Sequence, residues 1–165
     1  MKILFLTDNF PPELNAPASR TFEHCVEWVK IGVDVTVITC FPNFPNGKIY
    51  SGYRNEFYKK EIINGIEVIR VWSYMAENSG FFKRSIDYLS FAITSFIFGV
   101  FIKFDIIIGT SPQFFSVVSA WALAKIKRKK WVFEVRDLWP ESINAVGLMS
   151  KKSLIYRILK FIEIK

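Results

Sequence analysis

Met1-Lys2-Ile3-Leu4-Phe5-Leu6-Thr7 opens the chain as an unbroken apolar run that stops at Asp8 and the proline pair Pro11-Pro12. Continuous apolarity, as opposed to alternation, is the pattern of a strand covered on both faces, as in the interior of a parallel sheet. The run is short and no small-residue cleavage site follows, so it reads as a strand and not as a signal peptide.

Outward from that strand, the chain alternates between the two periodicities. After the loop Asp8 to Ala18, Ser19 is a candidate cap for a helix whose Phe22, Val26 and Val29 share a face, with Gly32 as its left-handed stop. Val33 to Cys40 reads as a second strand, and Phe41 to Tyr53, rich in Pro and Gly, as a loop. Asn64-Gly65 between two β-prone arms predicts a hairpin, and alternation in the second arm, Ile66 to Val71, predicts one wet face there. A long helix over Phe81 to Lys103, a strand over Asp105 to Gly109, and a helix from Pro112 to Lys125 capped by Ser111 come next. Trp131 to Val135 reads as a buried strand, and Lys151 to Ile164 as an amphipathic helix. Parallel neighbours need crossovers, so this β-α-β succession predicts an α/β fold: a doubly wound, mostly parallel sheet with an inserted β-hairpin.

The 165 residues, 51% hydrophobic, are enough for one core. A formal net charge of +7 favours anionic partners such as phospholipid or phosphate groups. Cys25 and Cys40 have neither the number nor the spacing of a disulfide framework, which fits a reducing, cytoplasmic setting. His24, the single histidine, has no Cys or carboxylate at metal spacing, so no metal site is expected. The aromatic residues do not interleave with the basic ones as a nucleic-acid stacking surface requires, and no nucleic-acid partner is expected.

Ligands of doubly wound sheets sit beyond the carboxyl ends of the strands. Three stretches fall there: Asp8 to Arg20, Thr110-Ser111-Pro112, and Arg136 to Gly147. The first has no glycine, which excludes a dinucleotide fingerprint or a P-loop. It is a proline-stiffened loop entering a helix N-terminus suited to an anion, with Arg20 close by; a plain connector with Arg20 in solvent fits it equally. In Arg136-Asp137-Leu138-Trp139-Pro140-Glu141-Ser142 a cation, two carboxylates and an indole gather at the ligand edge. A carboxylate there suits a hydroxyl and an indole suits a sugar ring, while a structural Arg136–Asp137 pair with Trp139 in the core is the competing reading.

Two motifs carry a family resemblance. Phe10-Pro11-Pro12-Glu13 with Ala16-Pro17-Ala18-Ser19-Arg20, followed by Val135-Arg136-Asp137-Leu138-Trp139-Pro140-Glu141-Ser142 and Val146-Gly147, resembles the N-terminal domain of family-four retaining glycosyltransferases of the GT-B fold, in particular their WbuB-like group. The resemblance covers essentially the whole chain. It implies the Rossmann-like, acceptor-side half of a transferase that moves a sugar from a nucleotide-diphosphate sugar to a glycan or polyprenyl-diphosphate-linked acceptor in O-antigen or capsule synthesis. It also implies a domain incomplete at its C-terminal end, a nucleotide-sugar-binding second domain absent from the sequence, and no activity of the portion alone. No metal or other cofactor is implied. Carried onto this chain, it makes Asp137 the catalytic candidate beside the reacting hydroxyl, and Pro12, Glu13, Asn15, Ala16, Arg20, Ser111, Arg136, Trp139 and Glu141 the substrate-binding candidates. Where many members carry a glycine pair, this chain has Asn15-Ala16.

Tyr88 to Ile102 carries no charge but is shorter than the roughly 20 residues that span a bilayer. A core helix is one reading. The other is an interfacial helix, its aromatic side in lipid and Lys83 and Arg84 at the phosphates, aided by the basic run Lys125 to Lys130. The second makes an anionic membrane surface a partner and places the protein peripherally on the inner face of the plasma membrane. A non-catalytic membrane-surface module stands as the alternative function.

Overall fold

A computed structural model describes residues 1–75, 81–111 and 114–136. It contains β1 (Lys2–Leu6), α1 (Ala16–Lys30), β2 (Asp34–Cys40), β3 (Tyr58–Ile63), β4 (Ile66–Val71), α2 (Phe81–Gly99), β5 (Ile106–Thr110), α3 (Phe114–Lys127) and β6 (Lys130–Glu134). One six-stranded sheet runs in the order β3-β4-β2-β1-β5-β6, parallel throughout except for the β3–β4 hairpin. The class is α/β and doubly wound, as the sequence predicts.

Alternation along each strand feeds two cores. Ile3, Phe5, Val35, Val37, Ile66 and Val68 point to one face, where Cys25, Phe22, Val26 and Val29 of α1 cover them. Leu4, Leu6, Ile38, Ile69, Val71 and Ile107 point to the other, beneath Phe91 of α2 and Ala120, Leu123 and Ala124 of α3. Both cysteines are buried and free. Gly109 lets α3 approach β5 closely: a Cβ there would stand 2.9 Å from Ala120 Cβ and 3.0 Å from Val117 Cα.

Three local expectations are corrected. α1 begins at Ala16, capped by Asn15, whose Oδ1 accepts from Ala18 N at 2.8 Å, and not at Ser19; Pro17 is tolerated in the first turn, where no N–H partner is needed. The hairpin joins the main sheet: its second arm, β4, pairs with β2 in parallel register from Thr36↔Glu67 to Cys40↔Val71, and β3 is the added antiparallel strand. β4 has no wet face, because α1 covers one side of the sheet and α2 and α3 the other, and even Arg70 is wholly buried. β6 is half-exposed and not buried, being the outer strand among the described residues. The turn itself matches, with Asn64 and Gly65 at φ 48° and 80°, and Gly32 stops α1 at φ 82°. The expected helix over Lys151 to Ile164 lies outside the described residues.

Candidate functional site

β1 is the pivot of the sheet. The chain leaves it toward β2 and β4 on one side and returns through α2 to β5 on the other, so the loops at its carboxyl end diverge and open a crevice. A cavity of about 250 Å³ lies there. Asp8 and Asn9 line it from the loop after β1, with Asn15 from the cap of α1 and Asn43 from the loop after β2. The first turns of α2 complete the wall with Arg84, Asp87 and Tyr88.

The two loops are locked to one another from below. Glu13, buried, accepts at Oε1 from the backbone N–H groups of Asn43 (2.7 Å) and Phe44 (2.9 Å). Arg70 donates from Nη2 to the Pro11 carbonyl, from Nη1 to the Cys40 carbonyl at 3.1 Å and from Nε to Glu61 Oε1 at 2.6 Å. Asn15 Nδ2 donates to Asn9 Oδ1 at 2.8 Å, which pins the cap of α1 to the loop.

Charge inside this frame is costly, and the acids respond. Burial, then the Glu13 and Asp87 carboxylates, push Asp8 up to about 7, so near neutral pH it is divided between its donor and acceptor forms. Burial also raises Glu13, although the Asn43 and Phe44 N–H groups and Arg70 oppose it. Burial holds the Cys40 thiol well above its usual range, and its Sγ donates to the Asp8 carbonyl at 2.8 Å. Burial raises the Tyr88 phenol, with Arg84 acting against it. The cavity thus offers amides, a phenol, a guanidinium and a carboxyl group that switches between donor and acceptor, a set suited to a hydroxyl-rich ligand. Among the described residues no three His, Cys, Asp or Glu side chains converge as metal ligands.

A second cluster sits at the ends of β5 and β6. The backbone N–H of Arg136 donates to Ser111 Oγ at 2.6 Å, and Ser111 N to the Glu134 carbonyl at 3.1 Å. Arg20 pairs with Glu134 at 2.6 Å, and His24 Nδ1 stands 3.9 Å from the same carboxylate oxygen. Of the candidate residues, the structure therefore brings Arg136 to Ser111, sets Arg20 on α1 against the end of β6, and puts Asn15 in the cavity wall. Pro12 and Ala16 are exposed, and Glu13 faces inward to the Asn43 loop. Asp137, Trp139 and Glu141 lie outside the described residues.

Comparison with known proteins adds one relative and no family: no protein-family model matches the chain. Over 156 residues, 92% of this chain, it is 32% identical to a protein of Escherichia coli (strain K12) described as a putative colanic acid biosynthesis glycosyl transferase WcaI. The chain spans 38% of that relative's length.

Sequence reading did not single out Asp8, Asn43, Asp87 or Tyr88, and it assigned Arg84 to lipid phosphates and not to this cavity. Asp8 carried a signal, as the first polar residue after an interior strand. The α2 residues carried none: nothing local shows that the start of a long helix folds back beside the end of β1.

Proposed function

We propose that the chain forms the acceptor-side portion of a sugar transferase of cell-surface polysaccharide synthesis, of the retaining GT-B type and WbuB-like subtype. The similarity to a glycosyl transferase along 92% of the chain carries this reading. The hydroxyl-binding set in the cavity supports it independently. The donor is a nucleotide-diphosphate sugar, held mainly by a second domain of the complete transferase. The acceptor is a glycan or a polyprenyl-diphosphate-linked sugar. In the reaction an acceptor oxygen bonds to the anomeric carbon as its bond to the diphosphate breaks, the nucleoside diphosphate leaves, and the acceptor hydroxyl gives up its proton. Asp137 orients that hydroxyl, with Arg136, Trp139 and Glu141 around it, while Asp8 and Tyr88 hold neighbouring hydroxyls of the acceptor.

The test is a transfer assay on the complete transferase with a panel of nucleotide-sugars and a polyprenyl-diphosphate-linked acceptor. Asp137→Asn is expected to lower kcat by about 10²-fold or more, and Asp8→Asn to raise the acceptor KM with kcat less affected. Transfer unchanged in Asp137→Asn removes that residue from the mechanism. Absence of transfer from every donor overturns the reading as a whole.

A further inference from the structure

The outward face of α2 is apolar along its length. Between Ser85 and Ile102 every exposed side chain is aliphatic or aromatic: Ile86, Leu89, Ile93, Ile97, Val100 and Phe101, the last 80% exposed. Spacings of three and four residues keep Ile86, Leu89, Ile93 and Ile97 in one stripe about 16 Å long at 1.5 Å per residue, and Val100 and Phe101 continue it in the turn after α2. The inner face is already committed, with Phe91, Ala92 and Ser95 buried and Ser119 of α3 donating to the Ala92 carbonyl. The core formed by the described residues therefore gives no reason for the outer stripe. Asp87, the acid of this stretch, is turned into the cavity. Exposed Lys83 and Arg84 precede the stripe and exposed Lys103 follows it.

We infer that this stripe seats on an anionic lipid surface, α2 lying in the plane of the interface with its aliphatic side chains below the headgroups and Lys83 and Lys103 at the phosphates. Charge selects the occupant. A second copy of this chain fits poorly, because either two-fold pairing of the stripe, parallel or antiparallel, sets these cations against one another with no exposed acid between them. A bilayer presents apolar depth under a layer of anions, and the chain's net charge of +7 complements it. Among the described residues no helix is long and apolar enough to cross a membrane. The aromatic side foreseen for lipid contact is not the one that faces out: Phe91 is in the core and Phe96 and Phe98 pack against it. The inference rests on the transferase reading for one step only. The same helix lends Arg84 and Tyr88 to the cavity, so a bilayer-anchored acceptor would reach that cavity without leaving the surface.

The test is co-sedimentation of the full chain with vesicles of phosphatidylcholine alone and of phosphatidylcholine with phosphatidylglycerol, beside sedimentation velocity without lipid. Binding is expected on the anionic vesicles and weakening with salt. Ile93→Glu with Ile97→Glu should lower the partition at least about a hundredfold while far-UV circular dichroism stays unchanged, since both positions are already in solvent. Lys83→Glu with Lys103→Glu should lower it on anionic vesicles and leave phosphatidylcholine unaffected. Binding to neither vesicle, equal binding to both, or a stripe variant that still binds overturns the inference. So does a lipid-free dimer that the stripe variant dissociates, which makes the face a self-interface. Vesicle binding is read without transfer: a chain that binds lipid while the complete protein transfers nothing overturns the transferase reading and leaves this one standing.

Discussion

Arg70 is the side chain on which the site's frame depends most. It is wholly buried, it reaches Glu61 on β3, and it donates to two carbonyls, Cys40 at the end of β2 and Pro11 in the loop after β1. The Tyr53 ring lies 4.9 Å from its guanidinium carbon. Arg70→Met keeps most of the stem and removes all of these donors. Each buried hydrogen bond lost costs about 1 to 3 kcal/mol, at the higher end for a charged donor. Glu61 is left without its partner but is 21% exposed, so water recovers part of that loss. The expected sum is about 3 to 5 kcal/mol, a large share of the 5 to 15 kcal/mol that holds a domain together. Urea unfolding followed by tryptophan fluorescence should show the midpoint falling by about 2 M at an m-value of about 2 kcal/mol/M. Arg70→Lys, which keeps the charge but cannot reach three partners, should fall between the two. A drop in Arg70→Met below about 0.5 M would refute the reasoning, since the two carbonyls would then be satisfied without the guanidinium.

Two further outcomes follow from the packing and the charges. Asp8 has a folded-state pKa of about 7 against 3.8 unfolded, so the folded protein holds more protons between those values and loses stability as pH rises through that window. Urea midpoints from pH 5 to 8 should fall, and Asp8→Asn should flatten the slope; a flat parent profile contradicts the burial of that carboxyl. Gly109→Ala forces a Cβ to within 2.9 Å of Ala120 Cβ and 3.0 Å of the Val117 backbone, and should cost about 1 to 3 kcal/mol. Calorimetry should show Tm falling by roughly 2 to 4 °C for each of those kcal/mol, with Ala120→Gly recovering part.

The strands were legible because interior parallel strands carry no interruption: Lys2 to Leu6 and Ile106 to Thr110 could be little else. The hairpin turn was legible because Asn64 and Gly65 tolerate positive φ at adjacent positions. Arg70 misled, since a charge in an alternating arm reads as solvent-facing, and only strand order reveals that the carbonyls of Cys40 and Pro11 await it. Ser19 misled because Pro17, two residues after the actual cap Asn15, reads as a loop residue although the first turn of a helix accepts it. The cavity was half legible. Asp8 and Asn15 follow β1 directly, but Arg84, Asp87 and Tyr88 arrive by a crossover whose landing place no local pattern encodes.

That crossover also explains why one helix serves two surfaces. To carry the chain from β4 past β2 and β1 to β5, α2 starts beyond the carboxyl end of β4 and lies over β2 and β4, with α3 beside it. Its first turns are thereby set next to Asp8, and its length is fixed by the return to the amino edge of the sheet. The fold asks only for an apolar inner face, which Phe91, Ala92 and Phe96 provide. Nothing in that requirement extends to Ile86, Leu89, Ile93, Ile97 and Phe101. An outer face that cost the fold nothing to make polar has been kept apolar between two basic ends, and so it is to be explained by what lies outside the fold. The glutamate pair at Ile93 and Ile97 probes that separation directly. If the stripe belongs to an external surface, the variant should unfold within about 0.5 kcal/mol of the parent, the usual range for exposed positions. A loss of several kcal/mol would return the stripe to the core and remove the reason to look outside.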